Sequence, residues 1–294
     1  MCRKCGKSFT WKRKFNKHCR EYSWFKQWVG ENFSVRQISE KSGHSPAKIK
    51  RIKNYWLGKS PEESFDYSHI RYLLFDGTYF HKLGCLLTVM SVVNGKIILT
   101  RYVDRERYEN ALEIFAELKH KGVSPVAITL DGHKAVLRAV KTVWPDIIIQ
   151  RCLFHIQHEG MRWLRSNPKT QAGKDLRCLL DGLAKRDTAQ KRDEFLDGYQ
   201  AWLSKYADYV RGLPQEIVAC KDLKKVMALI NNAKSDMFHF IEDDKIQSTT
   251  NKLENFYSGL KSDYQRHRGL SELHKQSFLK WYCYIKNEKN SNTF

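Results

Sequence analysis

Three carboxylates stand where the sequence could put them to chemical use. Arg71–Tyr79 (RYLLFDGTY) is an apolar run that presents Asp76 ahead of a glycine, and Pro125–Gly132 (PVAITLDG) ends on Asp131 in the same way. Apolar, partly β-branched runs bounded by glycine read as buried strands, so both acids are expected at strand ends. The third acid, Glu254, lies in Thr249–Lys261 (TTNKLENFYSGLK), where Leu253, Phe256, Tyr257 and Leu260 recur at helical spacing. Two strand acids and one helix acid can converge. Gathered carboxylates repel, each like pair near 4 Å costing about 4 kcal/mol at an effective dielectric of 20, and a divalent cation removes that cost. Carboxylate-only ligation suits Mg2+ or Mn2+, and two such ions can clamp the attacking and leaving oxygens of an in-line phosphoryl displacement. A lone Asp after a strand is more often a turn or cap residue, so the set of three carries the reading.

The elements that must position these acids can be read in order. A strand over 71–77 is followed by a strand near Cys85–Val93, an Asn94-Gly95 hairpin turn and a strand Lys96–Val103. A helix from about Tyr108 to His120 comes next, then the strand 125–131, a helix near Lys134–Val143 and a strand Ile147–Phe154. The succession βββαβαβ is the ribonuclease-H-like pattern. From about His155 to Asp244 the pattern is helical, with Leu176, Leu179, Leu180 and Leu183 on one apolar face and Phe195, Tyr199, Trp202 and Tyr206 on another. This stretch separates Asp131 from Glu254 by 123 positions, so the fold must carry the third acid back to the sheet.

The net charge is +20, and residues 1–66 hold sixteen Lys and Arg against six Asp and Glu, which is half of it. A polyanionic partner is implied. Within this end, SVRQISEKSGHSPAKIKRIKNYWL reads as helix-turn-helix: Val35, Ile38 and Ser42 inward, Gly43 the turn, Ser45 the cap, Pro46 the first helical position, and Ile49, Ile52 and Trp56 inward again. Lys48, Lys50, Arg51 and Lys53 lie beside that stripe, as on a major-groove reader. Before it, CRKCGKSF brings Cys2 and Cys5 into a knuckle that can hold half of a Zn2+ site. His18 and Cys19 lack the usual spacing to close it, so the chain is expected to begin inside a zinc ribbon, with residues 1–20 loosely packed. The eight cysteines are scattered and read as thiols or metal ligands. No apolar run is long enough to cross a bilayer, and the expectation is a cytoplasmic, nucleoid-associated protein with no membrane partner.

Asp76-Gly, Asp131-Gly, Cys152-Leu-Phe-His155 and Thr250-Asn-Lys-Leu-Glu254, in this order, resemble the DDE transposases of the bacterial insertion-sequence 256 type and their Mutator-like eukaryotic relatives. The resemblance covers about 70–275. It implies an α/β, ribonuclease-H-like core interrupted by an all-helical insertion, here 68–156 and 246–294 around 157–245, preceded by the partial knuckle (1–20) and helix-turn-helix region (21–60). It further implies that Asp76, Asp131 and Glu254 hold two Mg2+ (or Mn2+) ions and that Cys152 and His155 approach the scissile phosphate. Lys261, seven residues past Glu254, with Arg266 and Arg268, would contact the DNA backbone. The implied partners are double-stranded DNA, as transposon ends and target, and further copies of the chain. The runner-up is a catalytically inactive or domesticated DNA-binding protein using the same N-terminal reader.

Overall fold

The computed structural model describes residues 4–6, 17–61, 65–80, 84–267 and 269–291. The chain divides into two compact units, Ser64–Gly259 on the one hand and Met1–Glu63 with Leu260–Phe294 on the other.

The unit Ser64–Gly259 is mixed α/β. Its strands are β1 (Tyr72–Phe80), β2 (Gly84–Ser91), β3 (Ile97–Val103), β4 (Ala127–Leu130) and β5 (Ile148–Arg151), in the sheet order β3-β2-β1-β4-β5. β1, β2 and β3 pair antiparallel, whereas β1–β4 and β4–β5 are parallel. The crossovers are α4 (Tyr108–His120) and α5 (Lys134–Val143), whose bounds coincide with the sequence reading. Leu73, Phe75, Leu87 and Val89 on the strands meet Ala111, Ile114, Phe115 and Leu118 on α4 and Val136, Ala139 and Val140 on α5 in one buried cluster. Each large side chain so buried contributes roughly 1.5–3 kcal/mol.

Two boundaries differ from expectation. β1 runs on to Phe80 because its antiparallel register with β2 continues to Phe80↔Gly84, so Asp76 lies within the strand, opposite Thr88. β5 ends at Arg151, and α6 (Leu153–Leu164) begins at once with Cys152 as its N-cap. Cys152 to His155 is therefore a helix start and not the end of a strand. Leu153 and Ile156 explain the switch: three residues apart, both are buried, which a helix face allows.

The expected helical stretch follows as α6, α7 (Gln171–Leu180), α8 (Ala189–Gly212) and α9 (Val218–Ala233). Leu176, Leu180, Leu183, Phe195, Tyr199 and Trp202 are buried together with Leu223, Val226 and Ile230. The Tyr199 hydroxyl donates to the Met227 carbonyl at 3.0 Å and Trp202 Nε1 to that of Ala172 at 2.9 Å, so these rings are core members with satisfied polar ends. α10 (Asn251–Gln265) then carries Glu254.

The other unit holds α1 (Lys17–Gly30), α2 (Val35–Ser42), α3 (Pro46–Leu57) and α11 (Glu272–Ser291). Ser34 and Gln37 form a capping box on α2, Gly43 turns the chain at φ 68°, and Ser45 caps α3 ahead of Pro46. Ile38, Ile49 and Ile52 are buried as expected, with Phe25, Trp28 and Val29 from α1 and Phe278, Trp281 and Ile285 from α11. Val35 is only half-buried, and Leu57 takes the inward place that the pattern gave to Trp56. Residues 260–294, expected with the sheet, group instead with these N-terminal helices.

Candidate active site

Strand register brings the first two acids together. β1 and β4 are paired Tyr72↔Ala127, Leu73↔Ile128 and Leu74↔Thr129, and the same offset carried two residues further sets Asp76 opposite Asp131. β4 and β5 are paired up to Leu130↔Arg151, so the next position in line is Cys152. Asp76, Asp131 and Cys152 thus form a row across three parallel-paired strands, level with the carboxyl ends of β4 and β5, where open α/β sheets place their sites.

The third acid is tied to that row by hydrogen bonds. Thr250 is fully buried, its N–H and hydroxyl donate to Cys152 Sγ at 3.4 and 3.5 Å, and its carbonyl accepts the N–H groups of Leu253 and Glu254 that open α10. The Thr129 hydroxyl donates to the Gln247 carbonyl at 2.7 Å, and the Leu153 N–H to that of Ser248 at 3.0 Å. One turn beyond Glu254, the Tyr257 hydroxyl donates to the carbonyl of Asp76 itself at 2.7 Å. The two motifs Cys152-x2-His155 and Thr250-x3-Glu254 are therefore one bonded assembly. Cys152, with no exposed surface, holds the start of the helix and has no access to a phosphate.

His155 stands between the acids. Its Nε2 is 3.7 Å from Glu254 Oε1, and its Nδ1 is 3.5 Å from the Thr250 hydroxyl. Burial would depress the imidazole, but the neighbouring Cys152 sulfur and the charges of Asp76 and Asp131 outweigh it and raise it to about 9. Asp76 is pushed up to about 7, by burial first and then by Asp131 and Glu254, against the pull of His155 and of the Gly77 N–H that its Oδ1 accepts at 2.9 Å. A fourth carboxylate, not foreseen from the sequence, belongs to this field. Glu106, in the turn between β3 and α4, is raised to about 8 by burial, Asp131 and Asp76. Its carboxyl carbon lies 3.5 Å from where a Cβ on Gly77 would stand, and its N–H donates to the Tyr79 hydroxyl at 3.3 Å.

Among the described residues, no three His, Cys, Asp or Glu side chains are gathered closely enough to hold a metal ion as they stand. The donor set nevertheless fits a hard divalent cation. Asp76, Asp131 and Glu254 offer only carboxylate oxygens, and Glu254 Oε1 is buried without a hydrogen-bond partner. The crowded charge that raises Asp76 is the kind that a cation relieves.

The remaining predicted residues lie elsewhere. Lys50 and Arg51 are exposed on α3, whereas Lys48 is half-buried with Nζ 3.4 Å from His44 Nε2, and Lys53 is half-buried with its ammonium 5.4 Å from the Trp28 ring centre. Lys261 is half-buried and Arg266 exposed, while His267 between Arg266 and Arg268 is buried against Trp28. Arg268 and Cys2 lie outside the described residues; Cys5 is exposed. Tyr257, Arg151 and Glu106 are the site members that sequence reading missed. Tyr257 was visible only as part of an apolar stripe, and Glu106 had no signal in its charged loop.

Among solved structures, the Drosophila P element transposase strand transfer complex aligns at a TM-score of 0.41 with 12% identity, covering 97% of this chain and 94% of that one. A simian T-cell lymphotropic virus intasome in complex with PP2A regulatory subunit B56 gamma aligns at 0.24 with 16% identity, covering 68% and 66%. Likeness at this level does not establish a common fold. A probable transposase for an insertion sequence element of Corynebacterium diphtheriae is 26% identical over 156 residues, which span 52% of this chain and 43% of that relative, less than half its length. The family model described as "Transposase, Mutator family" matches residues 93–274, a stretch that takes in Glu106, Asp131, the Cys152–His155 pair and Glu254, and since this is more than half of the chain, the protein belongs to the Mutator family of transposases.

Proposed function

We propose that the unit Ser64–Gly259 is a ribonuclease-H-like, DDE-type catalytic core that nicks DNA at transposon ends and joins the freed 3′-hydroxyl to a target. The observation that carries this reading is the row of Asp76 and Asp131, with the Glu254 helix bonded onto it through Cys152–Thr250 and Tyr257–Asp76. Asp76, Asp131 and Glu254 would hold Mg2+ or Mn2+, which supplies activation of the attacking oxygen and stabilisation of the leaving one. Glu106 stands at the margin as a further carboxylate. In the first reaction a water oxygen attacks the phosphorus, its proton is lost to solvent, and the 3′-oxygen departs as the bond to it breaks. In the second that 3′-hydroxyl attacks a target phosphodiester, releasing the target's own 3′-oxygen.

The chain's own residues divide the remaining work. His155, drawn toward its cationic form by Cys152 and the acids beside it, would offset charge between them and an incoming phosphate. Cys152 is a positioning residue for Glu254. Lys50, Arg51, Arg266 and Arg268, with Lys48 and Lys261 in support, would neutralise DNA phosphates, while Lys53 stays over the Trp28 ring, and the α2–α3 pair would serve as the end-recognising reader. Two ends must be held together for joining, which calls for an oligomer. Among the described residues, no helix is long and apolar enough to cross a membrane.

The rival is a DNA-binding protein without catalysis. One observation favours it, that among the described residues no three ligands are gathered for a metal. The amides Asp76→Asn, Asp131→Asn and Glu254→Gln separate the two readings. Each is expected to lower Mn2+-dependent nicking of terminal DNA at least about a thousandfold, the several kcal/mol that metal catalysis supplies, while leaving end binding nearly intact. Undiminished nicking in Glu254→Gln would remove Glu254 from the site.

A further inference from the structure

Arg151 is the last residue of β5, beside Leu130 of β4, and its side chain lies beneath the turn that presents Asp131. It is 4% exposed. Its Nη2 donates to the Asp131 carbonyl at 3.2 Å, while its buried Nε has no partner. Among the described residues it forms no ion pair with a carboxylate. The charges of Asp131 and Asp236 favour the guanidinium from beyond ion-pair distance, but burying it without a direct ion pair is still costly, and a residue that merely filled the space would be apolar.

Gly132 gives the second observation. A Cβ there would stand 1.9–2.0 Å from Arg151 Cζ, Nε and Nη2, and the residue sits at φ +94°, where side chains are disfavoured. The guanidinium thus occupies the room a side chain at 132 would take. From the other side, Asp131 Oδ1 accepts the His133 N–H at 2.9 Å. The strand end below is fixed as well: Gln150 Nε2 donates to the carbonyls of Arg151 at 2.8 Å and Met237 at 2.6 Å.

We propose that Arg151 is a positioning residue for catalysis, clamping the Asp131–Gly132 turn so that the Asp131 carboxylate stays in row with Asp76, and that residue 132 is glycine to admit its guanidinium. The proposal rests on the reading of Asp131 as a metal-holding carboxylate. It is a role that volume alone cannot fill: the planar fork reaches the carbonyl and brings a permanent positive charge beneath the acids.

The test uses the full chain, with Mn2+ alone as the binding probe and terminal DNA for kinetics. Arg151→Met is expected to weaken Mn2+ binding about ten- to a hundredfold, the usual cost of losing a residue that orients a metal ligand, and to lower kcat in proportion with KM for DNA unchanged. Arg151→Lys should restore part of the affinity. Gly132→Ala should lose at least as much as the Met variant, since it adds backbone strain at φ +94° to displacement of the guanidinium, and the double variant Gly132→Ala, Arg151→Met should be no worse than Gly132→Ala alone. A folded Arg151→Met with wild-type Mn2+ affinity and kcat would overturn the proposal. Where the Met variant does not fold, the Lys variant decides: several-fold weaker Mn2+ binding supports the clamp, and unchanged binding refutes it. Asp131→Asn tells this failure from that of the site reading, because wild-type Mn2+ affinity in that amide would overturn the metal role of Asp131 itself.

Discussion

Asp263 and Asp76 are both withdrawn from solvent, one in each unit, and they are treated in opposite ways. Asp263 is 9% exposed and has a full set of partners: the Tyr282 hydroxyl donates to it at 2.8 Å, Lys286 Nζ lies at 3.8 Å, and Asn32 donates its amide. Among the described residues, Asp76 accepts a hydrogen bond only from its neighbour's N–H and, apart from His155, shares its surroundings with Asp131, Glu254 and Glu106. A buried carboxylate with hydroxyl, amide and ammonium around it contributes to stability. One facing other carboxylates costs stability, and such a cost persists where function requires it.

The comparison breaks most visibly under substitution, because the two acids should respond with opposite signs. Asp263→Ala removes the acceptor of the Tyr282 hydroxyl and of the Asn32 amide and the partner of Lys286, and is expected to destabilise by about 3 kcal/mol, read as a lower midpoint in urea. Asp76→Asn removes a like charge and, with metal chelated at pH 8, should stabilise by on the order of 1–2 kcal/mol after allowance for screening at a half-buried group. The same amide should abolish nicking. Destabilisation by Asp76→Asn in chelator would mean that the carboxylate is satisfied as it stands.

The next effect is on pH. Asp76 near 7, Glu106 near 8 and His155 near 9 all lie above their ordinary values, and above about pH 6.5 the lowered His267 no longer opposes them, so between about pH 6.5 and 9 these three groups bind more protons in the folded protein than in the unfolded chain. Stability must then fall as pH rises across that window, since its slope follows the protons bound by the unfolded minus the folded state. In chelator the melting temperature is expected to drop by several degrees from about pH 6.5 to 9. Mg2+ should flatten the curve, because a cation takes the protons' place. A flat profile without metal would show that the acids are not coupled.

Much of this frame was legible because punctuation and period agreed. Asn94-Gly95 marks the β2–β3 turn, and α4 and α5 stand where apolar spacing put them. β1 was read short because its last residues, Thr78 to Phe80, owe their strand to pairing with Gly84–Leu86, a tertiary fact. Cys152–Phe154 reads as strand because Leu-Phe continues the apolar run of β5; the helix is set by which of these side chains find the core. The acids Asp76, Asp131 and Glu254 declared themselves by position, whereas Glu106 lies in Asp104–Arg107 (DRER), which reads as a solvated turn until folding lays it against Gly77. α11 went unread: its charged residues blur the stripe that Phe278, Trp281, Tyr282 and Ile285 form.

Glu106 sharpens the comparison at a smaller scale. If it shares the field of Asp76 without holding an ion directly, Glu106→Gln should weaken Mn2+ binding about tenfold and leave slow but measurable nicking, as losses around a metal's ligands do. A loss as complete as that of Asp131→Asn would promote it to a direct ligand. Unchanged Mn2+ affinity would leave it outside the site.

The smallest effect distinguishes lysines within α3 of the other unit. Lys50 and Arg51 project to solvent, and among the described residues neither forms an ion pair. Lys53 is half-buried over the Trp28 ring, and burial, with Lys50 beside it, lowers its pKa. A phosphate contact needs a charge free to leave water, whereas an ammonium over an indole already has a partner whose loss costs about 0.5–1 kcal/mol. Replacing Lys50 or Arg51 by Ala should therefore reduce the slope of log affinity against log salt by about 0.9 each with no change in melting. Lys53→Ala should lower the melting temperature by a few degrees and leave the slope unchanged. Equal slope changes at all three positions would mean that Lys53 leaves Trp28 for DNA, and no change at Lys50 and Arg51 would move phosphate contact away from this helix.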